Sequence, residues 1–132
     1  MIVVDATVLA DFLVGESALQ AAAVELMRED SDWISVGLWR YELGNVLWKK
    51  VKFEKGDPDE IRPHLECGVR LLIETVEDLD LPAVYDIAVQ KGLTFYDASY
   101  VWLARARGIT LRTRDKQILR ECADVARAMP GS

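Results

Sequence analysis

Two hydrophobic patterns take turns along this chain. Ile2–Val4 is short and apolar throughout, as expected of a strand covered on both faces. From Ala6 to Val14 the apolar positions follow helical spacing, and Gly15 stops the run. A second helix is predicted from Ser17 to Arg28, with Ser17 as its cap and Gln20 three residues on. Trp33–Val36 reads as a strand. A strong helix follows over 38–53 and ends before the turn Gly56-Asp57-Pro58. Pro63 belongs in the first turn of a helix over roughly 62–74, and Thr75–Glu77 is a weak strand. Helices over Leu81–Lys91 and Phe95–Arg107 close on Gly92 and Gly108. Ile109–Thr113 reads as a strand, Lys116–Ala123 as a helix and Val125–Ala128 as an edge strand. Strands alternating with helices predict an α/β fold with a largely parallel sheet. Ligands of such folds sit beyond the carboxyl ends of the strands, so the residues just after each strand carry the functional information.

Four acids stand in suggestive places. Asp5 directly follows the first strand, and Asp115 lies two residues beyond the strand Ile109–Thr113. Each precedes a helix and can cap it; each can equally face a ligand from the sheet edge. Asp97 starts a helix that is apolar on nearly every side, from Ala98 to Ala106, and so is expected to be buried. Thr94 and Asp97 have capping-box spacing, yet an unpaired carboxylate at the mouth of a buried helix is costly. Glu42 falls beside Val46, at the edge of the stripe Trp39, Leu43, Val46 and Leu47. A salt bridge to Lys49 or a nearby arginine is the ordinary explanation. If all four converge, each close pair repels by about 4 kcal/mol at an effective dielectric near 20. Such a cluster raises its own pKa values or takes a cation. Oxygen ligands favour Mg²⁺ or Mn²⁺. The only histidine, His64, is far away in sequence, and there is no Gly-rich phosphate loop or Cys/His nucleophile pair.

Composition narrows the class. With 132 residues, 51% of them hydrophobic, the chain is expected to form one domain over 1–132. No apolar run reaches membrane-spanning length, and Asp5 interrupts the N-terminal apolar stretch, so a cytoplasmic protein without signal peptide or membrane association is expected. Cys67 and Cys122 lack metal or redox spacing and read as reduced thiols. The net charge of −6 argues against general coating of nucleic acid. Its distribution is uneven: Arg105, Arg107, Arg112, Arg114, Lys116 and Arg120 lie together with one acid, Asp115, and Lys49, Lys50, Lys52 and Lys55 form a second cluster. Either cluster can be solvated helix surface or a grip on a phosphate backbone.

The segments IVVDATVL, YELGNVLWK, TFYDASYVWLARA and ITLRTRDKQIL together resemble the PIN domain, and more narrowly the VapC toxins of toxin–antitoxin pairs. Each segment alone is weak; four in order across almost the whole chain are fairly specific. The resemblance implies a three-layer α/β/α sandwich on a five-stranded parallel sheet of order 3-2-1-4-5. It implies a Mg²⁺- or Mn²⁺-dependent endoribonuclease whose catalytic and metal-binding acids are Asp5, Glu42, Asp97 and Asp115. Thr113 would orient the last acid, and Thr7 would lend a supporting hydrogen bond. Many relatives carry a further acid where this chain has Gln117, which bears on a second metal site. Arg112, Arg114, Lys116 and Tyr96 are candidate RNA contacts, and Trp39 either stacks on bases or packs in the core.

The expected partners are an RNA substrate, a cognate VapB-like antitoxin and a second copy of the chain in a homodimer. Apolar residues near Trp33, Leu38 and Trp48 are candidates for the antitoxin surface. Two alternatives keep the same fold: a PIN nuclease of RNA processing without an antitoxin, and a catalytically silent protein-binding module. A phospho-acceptor receiver domain fits poorly, because such domains place two adjacent acids after the first strand and this chain has Asp5 alone.

Overall fold

The computed structural model describes residues 1–132. Five strands form one parallel sheet: β1 (Ile2–Val4), β2 (Trp33–Val36), β3 (Leu72–Val76), β4 (Leu111–Arg112) and β5 (Ala126–Arg127), in the order β3-β2-β1-β4-β5. β1 is central, pairing Val3 with Ile34 on one side and with Leu111 on the other. Side chains of the central strands alternate between two cores. Ile2, Val4 and Trp33 pack beneath α1 (Ala6–Val14), α2 (Ser17–Glu29) and α3 (Trp39–Glu54). Val3, Ile34 and Val36 pack beneath α6 (Leu81–Lys91), α7 (Phe95–Arg107) and α8 (Lys116–Glu121) on the opposite face. This is the α/β/α sandwich and strand order that the resemblance implied. No single helix is long and apolar enough to cross a membrane.

The elements depart from expectation where pairing overrides local pattern. The predicted turn at Gly56-Asp57-Pro58 leads straight into a short helix, α4 (Pro58–Ile61), capped by Asp57 accepting from the Asp59 N–H at 2.9 Å. The helix expected over roughly 62–74 is shorter, α5 (Pro63–Leu71). Its predicted last turn is instead the start of β3, because Leu72 and Glu74 pair with Trp33 and Ile34 of β2. Ser17 is not a cap: Glu16 holds that position without a side-chain bond, and Gln20 donates to the Phe12 carbonyl. The last two strands are shorter than predicted, two residues each.

The strand order changes direction between β1 and β4, where a crevice opens at the carboxyl ends. Asp5 follows β1 and Asp115 follows β4, so both acids stand at that crevice.

Candidate active site

One cavity of about 120 Å³ is lined by Asp5, Ala6, Thr7, Glu42, Asp97, Tyr100, Thr113, Arg114 and Asp115. The four acids come from four different segments. Asp5 and Asp115 cap α1 and α8, each accepting from the backbone N–H three residues on, Val8 at 3.1 Å and Ile118 at 2.9 Å. Asp97 enters from the first turn of α7, where the Thr94 hydroxyl accepts from its backbone N–H. Glu42 enters from the first turn of α3. Capping and lining the cavity are therefore compatible: Asp5 uses one oxygen for α1, and its other accepts from the Thr113 hydroxyl at 2.8 Å. Thr113 in turn accepts from the Asp115 N–H at 3.1 Å, so one fully buried hydroxyl links the acids after β1 and β4.

The electrostatics are those of crowded, desolvated carboxylates. Burial pushes Asp5 up to about 6, against the lowering hydrogen bonds from Thr113 and Val8, and the charges of Glu42 and Asp97 add to the rise. Burial also raises Glu42, with a further contribution from Asp97 and an opposing hydrogen bond from Tyr100. Asp97 is raised by burial and by the charge of Asp115. A folded-state pKa above the unfolded value means the folded protein holds the proton longer. Stability is then greatest below the unfolded value and falls as pH rises through the window from about 4 to about 6. Asp5 alone accounts for up to about 3 kcal/mol of that loss. Thermal melts of metal-free protein are expected to fall between about pH 4 and 6; a melting temperature that climbs over this range would contradict the shift.

A divalent cation fits this donor set: four carboxylates face one small cavity, and a cation would relieve the repulsion that raises Asp5, Glu42 and Asp97. No three acids stand close enough to cage an ion on their own, so water would complete its shell, as Mg²⁺ commonly requires.

Residues 2–124 match the PIN domain family. The chain belongs to that family. Among its relatives, Exonuclease VapC9 of Pyrobaculum aerophilum is 36% identical over 116 residues, covering 83% of this chain and 84% of that protein. Ribonuclease VapC3 of the same organism is 30% identical over 125 residues, covering 89% and 91%. The crystal structure of PAE2754 from Pyrobaculum aerophilum has a TM-score of 0.75 at 31% identity, covering 95% of this chain and 81% of that one. FitAcB from Neisseria gonorrhoeae, with a TM-score of 0.56 at 20% identity over 96% and 95% of the two chains, shares the fold.

Other residues in this PIN domain are placed less as expected. Glu42 pairs with no lysine or arginine; its partner is the Tyr100 hydroxyl, which donates to Oε1 at 2.5 Å. Tyr100 lies one turn beyond Asp97 on α7, a spacing that puts both on the cavity side and was legible in the sequence. Burial and the neighbouring Glu42 raise the Tyr100 hydroxyl, so it stays a donor.

The basic cluster is largely self-neutralised. Arg105 pairs with Asp124, Arg107 with Glu74, Arg112 with Glu29, Arg114 with Asp11 and Arg120 with Glu121. Arg112 also donates to the Ala128 carbonyl and does not line the acidic cavity. Trp39 is not a stacking platform, being 2% exposed with its Nε1 donating to the Thr75 hydroxyl. Trp48 is half exposed and packs edge-to-face on Phe53, while Trp33 is fully buried.

Proposed function

We propose that this PIN domain is a metal-dependent endoribonuclease, the toxin of a VapC-type pair. The observation that carries the reading is the set Asp5, Glu42, Asp97 and Asp115 around one cavity at the switch point of the sheet. A divalent cation bound there would supply an activated water near neutral pH and screen charge on the phosphate. Asp5 and Asp97, with Glu42, would hold it directly or through water. Asp115 completes the site, and Thr113 fixes the orientation of Asp5 while accepting from the Asp115 backbone. Tyr100 keeps Glu42 aimed into the cavity. Thr7, at the cavity wall, is a supporting hydrogen-bonding group.

The neighbouring surface supports a single-stranded substrate. A wider trough shares Ala6, Thr7 and Glu42 with the acidic cavity and continues past Asn45, Lys49, Tyr41 and Tyr96. Both tyrosines are well exposed, offering stacking faces to unpaired bases beside the scissile bond. Lys116 makes no ion pair and stands next to Asp115, where it contacts the phosphate backbone.

One relative is named an exonuclease, so the mode of cleavage is the decisive measurement. Purified protein is expected to cut a circular single-stranded RNA when Mg²⁺ or Mn²⁺ is present and to leave it intact with a chelator. Cleavage of linear but not circular RNA would replace the endonuclease reading with an exonuclease. No cleavage of either would favour a silent binding module.

The antitoxin we propose is a small VapB-like protein whose apolar and basic segment covers the acids. The exposed Trp48 and Phe53 pair on α3, with Leu65 and Val69 of α5, supports an apolar docking surface. A homodimer is proposed through α6, where Leu81, Tyr85 and Val89 form an exposed apolar stripe.

A further inference from the structure

Asp11 is a buried carboxylate that does not line the acidic cavity. It lies on α1, 5% exposed, and its partner is Arg114, more than a hundred positions away in sequence. Arg114 Nε donates to Oδ2 at 2.8 Å and Nη2 to Oδ1 at 3.2 Å, a fork-on-fork pair. A buried carboxylate left alone would be costly, so this pairing fixes the guanidinium firmly. The Arg114 side chain is 44% exposed and is the one cationic group lining the cavity of the four acids. Its Nη1 has no partner within the protein.

We propose that Arg114 donates from its free edge to a non-bridging oxygen of the scissile phosphate, and that Asp11 is the positioning residue that holds it there. The proposal rests on the nuclease reading above and adds a role that the four acids cannot fill. They carry negative charge toward a negatively charged phosphate, and a fixed guanidinium lining the same cavity offsets it. Because Asp11 has already immobilised the side chain, no ordering remains for the moment of reaction, the condition under which such donors act most strongly. Lysine could not substitute: its single ammonium cannot hold Asp11 through two parallel bonds and present a further planar edge.

The test is a double-mutant cycle read by single-turnover cleavage of RNA with Mn²⁺, with a melting curve and a Mn²⁺ binding isotherm for each variant. Arg114→Gln is expected to lower the rate of cleavage on the order of 100-fold while Mn²⁺ binding is retained. Asp11→Asn is expected to lower it about 10-fold alone and to add nothing in the Arg114→Gln background, since Asp11 acts only through the arginine. Should Arg114→Gln melt below the assay temperature, Arg114→Lys carries the same expectation with the charge kept. A folded Arg114 variant cleaving within about 3-fold of wild type would make the pair a structural tether and overturn the proposal. Multiplying effects in the double mutant would remove Asp11 from the positioning role. Wild-type protein that cuts no RNA would instead overturn the nuclease reading, and this inference with it.

Discussion

Asp5→Asn is expected to lower metal-dependent RNA cleavage by about 10³-fold or more while making the metal-free protein more stable at neutral pH. The two effects share one cause. Asp5 is 8% exposed, and burial raises its pKa to about 6, so above that pH the fold carries a carboxylate it would rather protonate. Asparagine removes the charge and keeps the shape. Its carbonyl oxygen still accepts from the Val8 N–H, and its amide donates to Thr113 Oγ1, a hydroxyl that can turn to accept. The expected gain is about 1–3 kcal/mol, or roughly 3–5 °C of melting temperature per kcal/mol. The same variant should flatten the fall in stability between about pH 4 and 6, because Asp5 is its largest contributor. Activity goes the other way, since the amide offers a cation no negative charge. Melting curves across pH and initial rates of cleavage check both halves. A variant that is stabilised yet fully active would remove Asp5 from the site and leave it a helix cap.

This opposition explains why local rules misjudge such residues. The strands β1 and β2 and the helices α1, α6 and α7 follow directly from apolar periodicity and from Gly and Pro punctuation. Two of the acids lining the cavity stand out by local rules: Glu42 lies beside an apolar stripe, and Asp97 opens a helix that is apolar on nearly every side, whereas Asp5 and Asp115 obey the rule for helix caps. What the sequence hides is pairing across distance. Nothing local marks Leu72 and Ile73 as strand residues; their place beside β2 does. Nothing local tells a free arginine from a committed one, so the run reads as a set of free cations when every arginine in it has an acidic partner and only Arg114 also lines the acidic cavity. Asp11, on which the sequence reading is silent, is a further case. A carboxylate within the apolar run of α1 must find a cation, and only the fold shows that the cation is Arg114.

Trp39→Ala is expected to destabilise the fold by about 3–5 kcal/mol without weakening RNA binding. Trp39 begins α3 and fills the space between that helix and α5. A Cβ placed at Gly68 would stand 2.7 Å from the Trp39 ring, so α5 approaches this side chain as closely as a glycine allows. Truncation leaves a cavity that the glycine face cannot fill and strands the Thr75 hydroxyl, which now accepts from the indole N–H at 3.1 Å. Trp39→Phe keeps most of the volume and loses that hydrogen bond, so its cost should be smaller. The functional consequence is indirect. Glu42 lies in the same first turn of α3, and loosening the start of the helix frees its carboxylate relative to the other three acids. At a temperature where Trp39→Ala is still folded, kcat should therefore fall while KM for RNA stays within about 2-fold of wild type. A large rise in KM with little loss of stability would instead return Trp39 to the substrate surface. The buried ring, 2% exposed, predicts the opposite: the tryptophan acts on catalysis only by holding the helix that carries Glu42.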